Sequence, residues 1–196
     1  MAVRGAGRLR IAAESQRVPI VPNGVMGMLI FVAAEIMMFG GLISAFTIIK
    51  SGALVWPPPD QPRLPVGETL FNTAALLASG VCLYLAQRSF ARDRQRARWP
   101  LLAAMLLGAF FVVFQGVEWV NLIRDGLTLT SSNLGSFFYL IVGMHALHAV
   151  AALALLAYTG LRLQRGWLAQ SQLATAQVFW YFVVGLWPIL YAVVYL

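Results

Sequence analysis

Apolar residues occur in this chain in five long runs that are free of charge or nearly so. Glu35 is the one charged residue in the first run, and Glu118 is the one in the third. A helix needs about 20 apolar residues to cross the hydrocarbon core of a bilayer, and each run is close to that length or longer. The runs therefore predict five transmembrane helices, and they cover residues 24–49, 69–87, 99–123, 126–161 and 166–196.

The same pattern predicts the fold class. A chain inside lipid satisfies its backbone only as helices or as a closed barrel, and these runs are continuous rather than alternating. We therefore expect an all-α bundle of five transmembrane helices in a membrane domain at 24–196, preceded by a polar, arginine-rich tail at 1–23. The expected helices cover about 25–49, 69–87, 100–123, 134–161 and 174–196.

Composition excludes the common soluble classes. Hydrophobic residues make up 60% of the chain and charged residues 11%, whereas a soluble domain carries about 25% charged residues. That balance excludes a soluble enzyme and a disordered chain. A single cysteine, Cys82, excludes a disulfide scaffold. The composition is that of an integral membrane protein.

The net charge of +7 is explained by membrane orientation. Eleven of the 14 Lys and Arg residues lie in the N-terminal tail, in the 88–98 segment and at Arg162 and Arg165. The other three lie on the opposite side of the predicted bundle. Because basic residues concentrate on the cytoplasmic side of membrane proteins, we expect the N-terminus inside, the C-terminus outside and no nucleic-acid partner.

Small residues on the first predicted helix indicate close helix contacts. Gly40 and Ser44, like Gly41 and Ala45, are separated by three residues. Pairs of small residues at this spacing let two membrane helices approach closely. We therefore expect this face of the first helix to pack within a tight bundle.

Glu35 lies near the middle of the first predicted helix. Ionisable residues at that depth are costly and rare, so each one needs an explanation. Glu35 is either a carboxyl that exchanges a proton or a neutral acid that hydrogen-bonds to a neighbouring helix. The sequence leaves both interpretations open.

Two further helices carry polar faces. Gln115, Glu118 and Asn121 are three residues apart, so they form one stripe on the third helix. Glu118 lies roughly 8 Å from the outer helix end at 1.5 Å per residue, and we interpret it as part of a packing or outer-leaflet polar network. His145 and His148 likewise share one face of the fourth helix.

The histidine pair allows three interpretations. Two histidines that ligate one haem must approach its iron from opposite sides of the porphyrin. Two histidines on one helix face cannot do this, and the chain has no third histidine. A carboxylate di-metal centre in a bundle needs a glutamate from each of two helices and a Glu-x-x-His pair from each of two more, so the ligands fall short. We favour a structural role, in which the imidazoles hydrogen-bond to Glu35, Glu118 or backbone carbonyls, and we expect no metal or cofactor in this chain.

Seven short motifs follow one another between residues 24 and 196. They are AEIMMFGG (34–41), WPP (56–58), NT (72–73) with LLASG (76–80), QGVEW (115–119), GSFFY (135–139), GMHALH (143–148) and WYFV (180–183) with Trp187. In this order they resemble subunit III of the haem-copper oxidases, and residues 34–41 resemble the motif around that family's membrane-embedded glutamate. Five helices are similar to the short form associated with bacterial quinol oxidases and nitric oxide reductases.

The resemblance implies a non-catalytic subunit of a respiratory terminal oxidase in a bacterial inner membrane. Such a subunit lies beside a subunit I that holds haem and copper, binds phospholipid, and supports the assembly, stability and proton uptake of subunit I. Glu35 matches the family's carbodiimide-reactive carboxyl. The family's buried polar set falls on Glu35, Gln115, Glu118, His145 and His148.

This chain departs from the family pattern at two places. The family's last helix usually reads Trp-His-Phe-Val-Asp, whereas this chain has Tyr181 and Val184 in place of the histidine and the aspartate. Residues 168–172 also lack the family's usual histidine.

Two alternative functions stay open. The same scaffold would serve a nitric oxide reductase, and an autonomous membrane di-metal enzyme is the alternative from a different class.

Overall fold

The computed structural model describes residues 21–58 and 61–196, and within them every regular element is helical. All five predicted spans form helices that are long and apolar enough to cross a membrane, which confirms an all-α, five-helix membrane protein. The helices are α1 (Asn23–Gly52), α2 (Val66–Arg92), α3 (Arg98–Arg124), α4 (Asn133–Gln164) and α5 (Gln170–Leu190), and α5 continues into a π-helical turn at Tyr191–Tyr195.

The first three observed helices are longer than their uncharged runs, whereas α4 and α5 are shorter than theirs. α2 ends at Arg92 and α3 at Arg124, and a cation in the last turn of a helix is favourable. A count of uncharged residues therefore locates the helices but does not give their ends. Apart from residues 21–23, the predicted N-terminal tail lies outside the described residues.

α5 is the most buried of the five helices. It contacts α1, α2 and α4, while α3 packs against α2 and α4. Its two tryptophans, Trp180 and Trp187, are fully buried. Each indole N–H donates to a hydroxyl of α2, from Trp180 to Ser79 at 3.1 Å and from Trp187 to Thr73 at 2.8 Å. These two bonds determine the height of α5 against α2.

The connections between helices alternate between the two ends of the bundle. At one end Arg94, which follows α2, donates to the carbonyl oxygen of Gly166, which follows α4, at 3.5 Å. At the other end Ser132, which precedes α4, donates to the side chain of Gln61, which precedes α2, at 3.3 Å. Consecutive helices therefore run antiparallel. The orientation of the termini relative to the two membrane sides stays a prediction.

Gly40, Gly41 and Ser44 of α1 do not pack against the other helices of the chain, contrary to expectation, and Ala45 is half-buried. A Cβ atom built at Gly40 or Gly41 would have no neighbour within 4 Å, and Ser44 is exposed. α1 packs instead through Phe39 and Phe46, which are buried. Small residues permit a close approach, but here the large aromatic side chains on another face decide which side of α1 turns inward.

One close contact in the core tests this packing. A Cβ atom at Gly108 of α3 would lie 2.5 Å from Cη2 of the buried Trp180. We expect Gly108→Ala to destabilise the protein by about 1–3 kcal/mol, the usual cost of overpacking a core, and to lower its apparent melting temperature in detergent. The matched control is Gly185→Ala, because a Cβ atom there has no neighbour within 4 Å. A Gly108→Ala protein as stable as the wild type would contradict the packing.

Candidate functional site

The five polar residues of the predicted set occupy separate places in the bundle. Glu35 of α1 contacts His148 of α4, whereas Gln115 and Glu118 of α3 contact each other. His145 lies one turn from His148 on α4 but contacts α5. A shared helix face therefore does not bring the two histidines into one cluster, because each one meets a different neighbouring helix.

Glu35 and His148 form the first cluster, between α1 and α4. Nε2 of His148 lies 3.1 Å from Oε2 of Glu35, and the two side chains are 9% and 16% exposed respectively. Phenylalanine rings surround the imidazole at centroid distances of 5.6 to 6.3 Å, and they belong to Phe31, Phe39, Phe179 and Phe182. The pair is a polar contact inside an aromatic shell, near the middle of two membrane-spanning helices.

The contacts of His148 determine the tautomer of its neutral ring. Nδ1 lies 2.7 Å from the carbonyl oxygen of Met144. Because a carbonyl only accepts, Nδ1 carries a proton, and Nε2 of a neutral ring is then an acceptor. Nε2 lies 3.1 Å from Oε2 of Glu35, and a single proton, on the carboxyl or on the imidazole, would join the two groups.

Glu118 is the centre of the second cluster, which joins α2, α3 and the C-terminal turn. The hydroxyl of Thr69 in α2 lies 2.8 Å from Oε1 of Glu118 and 2.8 Å from the carbonyl oxygen of Pro65, and its one proton is shared between these acceptors. Nε2 of Gln115 donates to Oε2 of Glu118 at 2.6 Å. The same amide nitrogen lies 3.1 Å from the hydroxyl of Tyr195. Asn121, expected in the same polar stripe, is exposed and takes no part. Both carboxyl oxygens thus have a donor, as a packing network requires.

Sequence reasoning missed Thr69 and Tyr195 as members of the second cluster. Thr69 is the first residue of the second uncharged run, and Tyr195 is the last residue but one of an apolar C-terminal segment. Tyr191, in the same π-helical turn as Tyr195, donates to the carbonyl of Val66 at 3.0 Å. Hydroxyl groups near the ends of two spans were the only signal available, and they do not show which helix they meet.

His145 contacts neither glutamate. The residue is 1% exposed, and its Nε2 donates to the carbonyl oxygen of Val183 in α5 at 3.0 Å. Its ring packs against Trp187 with a centroid distance of 4.9 Å. The residue therefore connects α4 to α5 by one hydrogen bond and one aromatic contact.

The described residues contain no group of three or more His, Cys, Asp or Glu side chains that could hold a metal ion. Glu35 and His148 supply two such groups. Around Glu118 the nearest polar partners are the neutral side chains of Thr69 and Gln115. Within this part of the chain, the ligands that an autonomous di-metal enzyme needs are not assembled.

The two positions that depart from the family pattern lie on α5, three residues apart. Tyr181 is 37% exposed on the bundle surface, whereas Val184 is buried. Cγ1 of Val184 lies 3.1 Å from the place that a Cβ atom of Gly80 would take. At this position α5 therefore makes a close apolar contact with α2.

Comparison with known proteins agrees with these features. The family model described as cytochrome c oxidase subunit III matches residues 12–196. The chain is 31% identical over 194 residues to a probable cytochrome c oxidase subunit 3 of Nocardia farcinica, covering 94% of each chain. It is 32% identical over 182 residues to the probable subunit 3 of Mycobacterium leprae, covering 89% of this chain and 88% of the other. It is also 29% identical over 193 residues to the subunit 3 of Rattus norvegicus, covering 93% and 73%. The chain therefore belongs to the cytochrome c oxidase subunit III family and is a subunit III of a terminal oxidase.

Proposed function

We propose that this chain is a non-catalytic subunit of its oxidase complex, bound beside a subunit I that carries haem and copper. In that position it supports the assembly and stability of the complex and takes part in proton uptake by subunit I. Its membrane is a bacterial inner membrane. The observation that carries the proposal is the Glu35–His148 pair, a carboxyl oxygen 3.1 Å from an imidazole nitrogen near the middle of two membrane-spanning helices.

The surroundings of the two glutamates support a proton-linked role for Glu35. Each oxygen of Glu118 has a neutral polar side chain within hydrogen-bond distance. Oε2 of Glu35 instead lies 3.1 Å from Nε2 of His148 and has no hydrogen-bond partner among the described residues. A proton on either group would satisfy this contact. Intramembrane ionisable residues of this kind are candidates for function.

The distribution of basic residues supports the proposed orientation. The connections after α2 and after α4 lie at the same end of the bundle. Seven of the described Lys and Arg residues belong to that end, against three at the other. Because basic residues concentrate on the cytoplasmic side, that end faces the cytoplasm. The start of α1 then lies inside and the C-terminus outside.

The non-catalytic assignment is tested by purifying a tagged copy from its native host in mild detergent and recording an absorption spectrum. We expect the chain to copurify with a large subunit that contains haem and copper, and we expect the separated chain to be colourless. The haem type of the complex separates an oxidase from a nitric oxide reductase. If the chain purified without partner subunits and carried stoichiometric metal, this result would contradict the proposal.

The role of Glu35 is tested by Glu35→Gln in the complete complex. An amide N–H can still donate to Nε2 of His148, so we expect the complex to assemble while the exchangeable proton is lost. Catalysis takes place in another subunit, so we expect turnover to change by at most about tenfold, equivalent to about 1.4 kcal/mol in the barrier. The active lifetime during turnover should become shorter. Both quantities are measured as oxygen consumption against time.

The matched control for this experiment is Glu68→Gln, the same chemical change at an exposed glutamate at the start of α2. This variant should keep wild-type turnover and lifetime. If Glu35→Gln also kept both, Glu35 would have no proton-linked role, and the pair would serve packing alone.

We also propose a place for bound phospholipid, in a groove between α3 and α4 at the basic end of the bundle. The groove has a volume of about 640 Å³, and its wall includes the apolar side chains of Leu102 and Met105. Arg98 lies on its rim and has no ion-pair partner among the described residues. Apolar walls beside a free guanidinium suit the acyl chain and the phosphate of an anionic lipid.

The lipid proposal is tested by Arg98→Gln, followed by native mass spectrometry of the complex. We expect this variant to retain less phosphatidylglycerol than the wild type, since the phosphate loses its cation. The control is Arg96→Gln, because Arg96 is already paired with Asp93 at 3.5 Å. Equal lipid retention in wild type and Arg98→Gln would contradict a site in this groove.

A further inference from the structure

Three buried polar atoms on α3 and α4 have no hydrogen-bond partner among the described residues. They are Oε1 of Gln115, Nε1 of Trp119 and Nδ1 of His145. Buried polar atoms are almost always paired with protein groups or with ordered water. Three unpaired atoms on two adjacent helices therefore need a common explanation.

The three atoms belong to side chains that line the same cavity. This cavity has a volume of about 180 Å³ and lies between α3, α4 and α5. Besides the three polar side chains, its wall includes Phe111 and Trp187. A buried water takes up about 30 Å³ in the liquid, so the space exceeds what one water molecule requires.

The chemical types of the three atoms match those that water can pair. Nε2 of His145 donates to the carbonyl of Val183, so Nδ1 of the neutral ring is an acceptor. Oε1 of Gln115 is also an acceptor, whereas Nε1–H of Trp119 is a donor. A water molecule donates twice and accepts, and buried waters typically make about three hydrogen bonds to otherwise unpaired groups.

We propose that this cavity binds ordered water, held by Gln115, Trp119 and His145. The water completes a polar connection across the bundle. On one side Gln115 donates to Glu118, which also accepts from Thr69 of α2. On the other side His145 bonds to α5. Four helices are thereby joined by one hydrogen-bonded system, in which α3 and α4 meet through solvent.

The rival occupant is a lipid acyl chain. Trp119 and Ala146 line both the cavity and a wider apolar groove of about 720 Å³ between α3 and α4. An acyl chain that entered from this groove would leave all three polar atoms unpaired. The three unpaired polar atoms therefore favour water over hydrocarbon, although most of the wall is apolar.

The first test is a high-resolution cryo-electron microscopy map of the complete wild-type complex. We expect discrete water-sized density within about 3.2 Å of at least two of the three polar atoms. A parallel experiment exposes the complex to xenon, which binds dry apolar cavities, and we expect no xenon at this position. Continuous acyl-chain density, no density or bound xenon would each overturn the proposal.

The second test fills the cavity with hydrocarbon. We expect Ala146→Leu to lower the apparent melting temperature of the complex, because the added side chain displaces water and leaves polar atoms unpaired. A dry cavity would give the opposite result, since filling it would raise the melting temperature. Ala151→Leu is the matched control on an exposed position of the same helix. If Ala146→Leu fails to assemble, the wild-type map and the xenon experiment decide the matter alone.

Discussion

A polar side chain inside a membrane must find its hydrogen-bond partner within the protein, because the hydrocarbon layer offers no water. Several side chains of this bundle find that partner on another helix. Thr69 of α2 meets Glu118 of α3, Trp187 of α5 meets Thr73 of α2, and His145 of α4 meets a carbonyl of α5. These polar residues therefore connect neighbouring helices, in addition to satisfying their own hydrogen bonds.

The two tryptophans of α5 show how this constraint combines with packing. An indole supplies a large apolar surface and one N–H donor. Trp180 fills the space above Gly108 of α3 while its N–H donates to Ser79 of α2. One side chain thus packs against one helix and hydrogen-bonds to another. α5 is thereby the most buried of the five spans, although three of the other four have a higher mean hydropathy.

The two glutamates have different surroundings. Glu118 has polar partners at both oxygens and joins three segments of the chain. Glu35 lies 3.1 Å from one imidazole. In the function we propose, Glu118 is a packing residue, and Glu35 contributes one exchangeable proton to a complex whose redox centres lie in another subunit.

Composition along the chain and motifs in order were enough to predict the number of helices, their approximate positions and the family. The partners of the polar side chains became visible when the helices were packed together. Helical spacing placed His145 and His148 on one face, yet they contact different helices, and the small residues Gly40 and Gly41 face away from the bundle. Helical periodicity defines a face but not the helix that meets it. That choice follows from how large side chains of all five helices fill the interior together, which no single segment encodes.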